Sequence, residues 1–562
     1  MSLRRSVDNA DAEKGAPPLK PAVEEDERLA DVHHDLTRGL KARHITMIAI
    51  GGAIGTGLII GTGSALAQAG PAPVLISYTI VGFLVYLVMC ALGEMASWLP
   101  LGSGFTGYAT RFCDPALGFA LGWTYWFKYI IVTPNQLTAA SLVLQYWVDR
   151  DRVNPGVWIT IFLVTILFIN YFGIRLFGEI EFWLSSFKVV TIVGLIILSL
   201  CLALGGGPDH DRKGFRYWKD PGAFKPYIAE GDTGRFLALW STFVTATFAY
   251  LGTELVGVTV GEAQNPRRTI PRAIRLTFYR IVVFYVLSVF LLGMIVPWNS
   301  PDLIFATKNA STGASASPFV VAIKLSGIKG LPSVLNACIL VFVFSASNSD
   351  LYIASRTIYG LALEGKAPKF LAITDRRGVP IYALGLSACF ALLAYMNVAE
   401  DSRTVFKYFV NLTTIFGILT WISILVTHIF FVRARRAQGI TDAQMPYVSP
   451  FGIWGSWGAL FGCSLIAIFK NFNVFVPSPE TYGTWDYKNF VTGYLGIPLY
   501  LILFFGYKFW FGTKGLNPLE ADLFTGKDRI DREEEEFLRL QALEPEGTGA
   551  KRFYKKYVSW LF

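Results

Sequence analysis

Charge is scarce in this chain. Asp, Glu, Lys and Arg make up 16% of its 562 residues, against about 25% in soluble domains. So few charges cannot coat several soluble globules, and the same shortage excludes a disordered chain. Cysteine is scarce too. Cys90, Cys113, Cys201, Cys338, Cys389 and Cys463 are scattered, with no CxxC pair, which argues against a disulfide framework or a zinc site. The five histidines form no HExxH, and the chain has neither a GxxxxGKS/T loop nor a GxSxG elbow. An ATP-driven pump and a hydrolase lose their sequence support. No cofactor or metal is expected, and the chain reads as a non-enzyme. Residues 1–44 carry Pro17, Pro18 and Pro21 but lack the apolar stretch of a signal peptide. They read as a soluble tail.

Apolar residues are abundant instead. Hydrophobic residues reach 53% and aromatics 15%, and the mean hydropathy is +0.44. The class that remains is an all-α polytopic membrane protein in contact with lipid. Its net charge of +9 then reflects topology, and no nucleic-acid partner is expected. A spanning helix needs about 20 mostly apolar residues. Such runs occur at 45–67, 73–97, 117–147, 156–173, 182–204, 235–260, 274–296, 331–363, 380–397, 404–431, 452–471 and 489–512, predicting twelve spans. An even count puts the tails 1–44 and 513–562 on one side.

Short loops decide which side. Arg267, Arg268, Arg272 and Arg275 follow the sixth run; Lys366, Lys369, Arg376 and Arg377 follow the eighth; Arg433, Arg435 and Arg436 follow the tenth. The loops after the ninth and eleventh hold little more than Arg403 and Lys488. Both tails are therefore expected in the cytoplasm. The loop 205–234 would face outside despite its basic residues, which count for less in a long loop. Asn309-Ala-Ser311 forms a glycosylation sequon in an outer loop.

Glycine interrupts two runs. The first contains GGAIGTGLIIGTG, Gly51 to Gly63; the sixth contains Phe248-Ala-Tyr-Leu-Gly-Thr-Glu254 and continues through Gly257. Glycine-broken segments at corresponding positions of two halves point to an inverted-repeat transporter. Here the halves would be spans one to five, within 45–204, and six to ten, within 235–431, with 452–512 adding two spans. An unwound stretch frees backbone groups that lipid would not tolerate but a substrate cavity would. The helix N-terminus after the break then offers N–H donors to a carboxylate. Close helix packing of the GxxxG kind is the other reading.

The few charges inside the runs are costly, at least about 2.5 kcal/mol each at mid-helix, so they mark candidate sites. They are Lys128 in the third run, Glu181 and Lys188 in the fifth, Glu254 in the sixth and Asp350 in the eighth, with Glu94 ending the second. Glu181 lies seven residues before Lys188, on the same helix face, and is placed to pair with it. A structural ion pair or a snorkelling side chain is the plainer reading of each. A carboxylate held in a dry pocket can also carry a proton near neutral pH. A lysine there can hold a substrate carboxylate or replace a bound cation.

At these residues the sequence resembles a family. GGAIGTGLIIGTG, RFCDPALGFALGWTYWFKY, GTELVGVTVGEAQNPRRTIPRAI and NSDLYIASRTIYGLALEGKAPK are similar to the fungal amino-acid permeases of the amino acid–polyamine–cation superfamily. The resemblance extends from about Leu36 to the C-terminus. VNPGVWITIF, FWLSSFK and FVNLTTIFGIL resemble the subgroup for the dicarboxylic substrates glutamate and aspartate. The resemblance implies a LeuT-type fold and proton-coupled amino-acid uptake at the plasma membrane. It implies that Gly55, Thr56 and Gly57 receive the substrate α-carboxylate, and that Phe248 gates the bound amino acid beside Gly252. It assigns Glu254 to proton coupling, and Lys188 to the space a sodium ion fills in sodium-coupled relatives.

Basic amino-acid permeases carry a small residue at the Lys128 position and a glutamate at the Gln136 position. This chain reverses that sign, so Lys128 is expected to pair with a substrate's side-chain carboxylate, with Gln136 two turns away on the same face. Proline permeases share the lysine, which keeps a proline or broad neutral permease open. A non-transporting amino-acid sensor is a further alternative. Lys14, Lys20 and Lys41 are possible acceptors for ubiquitination machinery, and the acidic run Glu533–Glu536 reads as a solvated helix face.

Overall fold

The computed structural model describes Met47 and residues 54–101, 103–172, 174–259, 266–308, 317–399, 402–476 and 485–543. Lys14, Lys20, Lys41, Gly51 and the sequon at Asn309 and Ser311 lie outside them. The described residues are mainly helical, with no strand among them. Helix α1 is Gly57–Ala69, α2 is Pro71–Trp98, α3 is Gly104–Phe112 and α4 is Pro115–Leu144. Helix α5 is Pro155–Tyr171, α6 is Ile174–Ala203, α7 is Gly231–Tyr250 and α8 is Leu255–Thr259. Helix α9 covers 266–295, α10 is Leu331–Leu363, α11 is Ile381–Val398 and α12 is Ser402–Ala437. Helix α13 is Gly452–Phe469, α14 is Tyr487–Tyr494, α15 is Gly496–Phe511 and α16 is Lys527–Leu543.

Local chemistry sets several starts. Asp114 accepts a hydrogen bond from the N–H of Ala116 at 2.8 Å and Pro115 opens α4. Asn154 caps α5 in the same way, ahead of Pro155. Proline belongs there because the first-turn N–H has no helical partner to lose. Gly70, at φ +89°, turns the chain between α1 and α2.

Eight helices among the described residues are long and apolar enough to cross a membrane, and α14 with α15, bent by 41°, makes a ninth. Three predicted runs fall outside that set for visible reasons. Helix α1 is described only from Gly57, α5 has 17 residues, and α4 has 30 residues but carries Lys128, Asn135 and Gln136.

Packing sorts the helices into two groups. Helix α2 lies along α7 and α9, and α1 lies against α7; α4 lies along α10 and also meets α5 and α11. Helices α6 and α12 touch members of both groups. Glu94, in α2, behaves as the structural ion pair that its place near a span end suggests. It is fully buried, 3.2 Å from both His428 and Arg435 of α12, and accepts the N–H of Ser449 at 2.9 Å. The six cysteines are free.

One face collects the loops with excess positive charge. Lys366 donates to Thr110 of α3 at 2.6 Å. Gln438, just past α12, donates to the carbonyls of Pro518 and Ala521 at 3.1 and 2.8 Å. Trp98 donates to the carbonyl of Leu523 at 2.9 Å, and Leu523 is fully buried. Arg267 reaches two carboxylates of α16, Asp531 and, at 2.7 Å, Glu534. The acidic run is therefore only partly a solvated face: Glu535 and Glu536 are exposed, while Glu534 is engaged because α16 folds back under α9.

Candidate functional site

Both glycine-rich stretches are irregular among the described residues. The chain is irregular at Ile54–Gly55 and enters helix only at Thr56. The sixth run stops at Tyr250, turns through 251–254, and resumes at Leu255, with Gly252 at φ +90°. That conformation suits glycine, which has no Cβ to clash. Irregular backbone and close packing both occur, at different glycines. Gly55 sits at the break. Gly57 packs so tightly that an added Cβ would lie 2.5 Å from Cα of Ala249, and one on Gly61 would lie 3.1 Å from Thr245. Helices α1 and α7 thus meet backbone to backbone beside the break.

A cavity of about 40 Å³ opens where the two breaks face α4 and α10. Its wall includes Gly55, Thr56, Gly57, Lys128, Gln136, Phe248 and Gly252, the seven residues predicted to bind substrate, together with Asp350 of α10. Thr56 donates to Oε1 of Gln136 at 3.1 Å, tying the start of α1 to α4. The first N–H groups of a helix have no partner within it, so residues 55–57 present donors and a positive helix end to the cavity. Phe248 is almost buried and stands edge-on to Phe406, centroids 6.2 Å apart.

Glu254 is not on the cavity wall but directly behind it. Its Oε1 accepts from Nζ of Lys128, and both side chains are 1% exposed. Its Oε2 accepts from Trp421 of α12 at 3.2 Å. The lysine also lies over the rings of Tyr129 and Tyr125, at 4.7 and 5.2 Å from their centroids. Such a pair satisfies both charges, and losing either member strands the other at a penalty of about 3–5 kcal/mol. Lys188 stands apart from the cavity wall. It lies 3.8 Å from Glu181, the partner that helix spacing predicted. Glu181 in turn accepts from Ser345 of α10 at 2.8 Å and from Ser185 at 3.2 Å.

Two features escaped the sequence reading. The pairing of Lys128 with Glu254 joins residues 126 apart, which no periodicity reports. Asp350 was visible as an intramembrane charge, but its place on the cavity wall depends on how α10 rotates against α4.

Comparison with known proteins bears on this geometry. The family model "Amino acid permease" matches residues 44–517. The chain belongs to the amino acid permease family. The permease is 55% identical to the dicarboxylic amino acid permease of Saccharomyces cerevisiae over 95% of this chain and 88% of that protein. It is 41% identical to the proline-specific permease of Emericella nidulans, over 89% of this chain and 90% of the other. The basic amino-acid permease of Saccharomyces cerevisiae is 39% identical, over 93% of this chain and 89% of its own.

Proposed function

We propose that this permease imports acidic amino acids, L-glutamate and L-aspartate, together with protons, by alternating access across the plasma membrane. Lys128 carries this reading. It is a cation on the wall of the cavity that Gln136 and the helix start at residues 55–57 also line. The helix start suits an α-carboxylate, and Lys128 suits the second carboxylate of a dicarboxylic substrate. The 55% identity to a relative named for dicarboxylic substrates supports the same choice.

The ion pair supplies a coupling device. A substrate carboxylate competes with Glu254 for Lys128. Once Lys128 turns to the substrate, Glu254 is left desolvated, and binding a proton removes its charge. Lys188 fixes the neighbouring seam between α6 and α10 with a charge that needs no sodium ion. The architecture in this reading has twelve spans, with the breaks in the first and sixth related by an inverted repeat. Both termini face the cytoplasm, on the side of the basic loops.

Charge as well as geometry favours protons in this reading. Glutamate carries a net negative charge, and importing it against an inside-negative potential costs about 2.3 kcal/mol per 100 mV. The deciding measurement is uptake by purified protein in liposomes. Glutamate is expected to accumulate under an inward proton gradient, and equal uptake without gradient or potential at matched external pH would refute the coupling. Excess unlabelled aspartate should block labelled glutamate uptake better than excess proline. The reverse order would favour a proline permease.

A further inference from the structure

Of the residues lining the cavity, Lys128 and Asp350 are the two with an amino or carboxyl side chain. The other carboxylates of the buried site each have a lysine: Glu254 has Lys128, and Glu181 has Lys188. Asp350 forms no ion pair with the described residues. Its Oδ2 is buried without a hydrogen-bond partner, and Gln136 lines the same cavity. The charged and titratable groups around it come from three elements. Helix α4 presents Lys128, Tyr125 and Tyr129, α6 presents Glu181 and Lys188, and Glu254 stands across Lys128 in the sixth-run break.

The charge balance of this wall changes when an acidic substrate enters. Before substrate binds, Lys128 is the cation that shares the cavity wall with Asp350. A dicarboxylic substrate draws Lys128 onto itself. An ionised Asp350 would then face a second anion in a dry, low-dielectric space. A proton on Asp350 removes that repulsion. It also converts the side chain from an acceptor into a donor, able to hydrogen-bond the substrate carboxylate.

We propose that Asp350 is a second proton-loading site, which binds one proton with each acidic substrate and releases it once the substrate has left. The inference rests on the proton-coupled reading above and adds one proton to each cycle. One proton per glutamate makes transport electroneutral; two make it carry net positive charge inward.

The experiment reads both numbers from the full-length protein in liposomes. Proton entry is followed with an internal pH dye against radiolabelled glutamate, at zero and inside-negative potential. The wild type is expected to bring in two protons per glutamate and to accelerate at inside-negative potential. Asp350→Asn, which fixes the neutral form, is expected to bring in one and to lose the response to potential. Its apparent affinity for glutamate should also weaken less steeply as external pH rises, by about tenfold per pH unit through the proton on Glu254 where the wild type, loading two, approaches about a hundredfold once the protonated forms become the minor ones. A wild type that takes up glutamate without protons overturns the coupling reading itself. A wild type that is coupled but electroneutral overturns only the role of Asp350. So does an Asp350→Asn protein that still moves net charge, or one that is monodisperse yet exchanges no glutamate, since the neutral isostere is the state assigned to the loaded cavity. Asp350→Ser replaces it in the same measurement if Asp350→Asn does not fold.

Discussion

Lys128 meets a carboxylate from another helix segment, Glu254, whereas Lys188 meets one from its own helix, Glu181, seven residues earlier. Both lysines are sealed from solvent. The first contact breaks when the sixth-run break moves relative to α4. The second survives any rigid movement of α6, because both partners travel with it. An ion pair between moving elements can be exchanged for a ligand, while one inside a helix can only hold its neighbours in place. The pair at the cavity is thus suited to coupling, and the pair in the seam to support.

The sharpest way to break this comparison is to truncate each lysine in turn. Lys128→Ala should abolish accumulation of glutamate and reduce alanine uptake less, since it removes the substrate's cation and strands Glu254 at about 3–5 kcal/mol. Lys188→Ala should lower uptake of both amino acids in equal proportion. Competition curves for glutamate and alanine in a permease-deficient cell measure the ratio. Equal losses in Lys128→Ala, or a selective loss in Lys188→Ala, would reverse the assignment.

A smaller effect is expected at Gln136. Gln136→Glu places an anion on the cavity wall beside the Thr56 hydroxyl and should weaken glutamate by about tenfold or more, one unit charge at close range being worth over 1.4 kcal/mol in a partly buried site. Neutral amino acids should be affected less. A glutamate affinity unchanged in direct uptake assays would place the substrate carboxylate elsewhere.

The smallest effect is predicted at the basic face, where a third ion pair offers contrast by being partly exposed. Burial works to raise the pKa of Asp531, but hydrogen bonds from Lys527 and Arg267 outweigh it and hold the carboxyl below its usual value. A lowered carboxylate contributes stability that is present above about pH 4 and is lost as pH falls through the lowered value. Hydrogen exchange of α16 should therefore be flat from neutrality down to about pH 4, after correction for the intrinsic rate. It should rise only below that, and Asp531→Asn should remove the rise.

Much of this was legible in the sequence for a physical reason. The sixth-run break announces itself because Gly252, at φ +90°, does what other residues do poorly. The pairing of Glu181 with Lys188 follows from helix period. The seven residues predicted to bind substrate meet on one cavity because the two breaks face the same stretch of α4. What depends on tertiary rotation was not legible: the contact of Lys128 with Glu254, the place of Asp350, and the docking of α16 on Arg267. Charge counts alone made Glu534 look solvated. Its partner stands 267 residues away.

The contact of Gly57 with Ala249 has a consequence for inheritance. The atoms that would obstruct a side chain at position 57 are the Cα and N of residue 249, which every amino acid possesses. A second mutation at 249 therefore cannot make room. Revertants selected from a Gly57→Val strain should restore glycine itself, because the obstacle is the peptide chain and has no alleles.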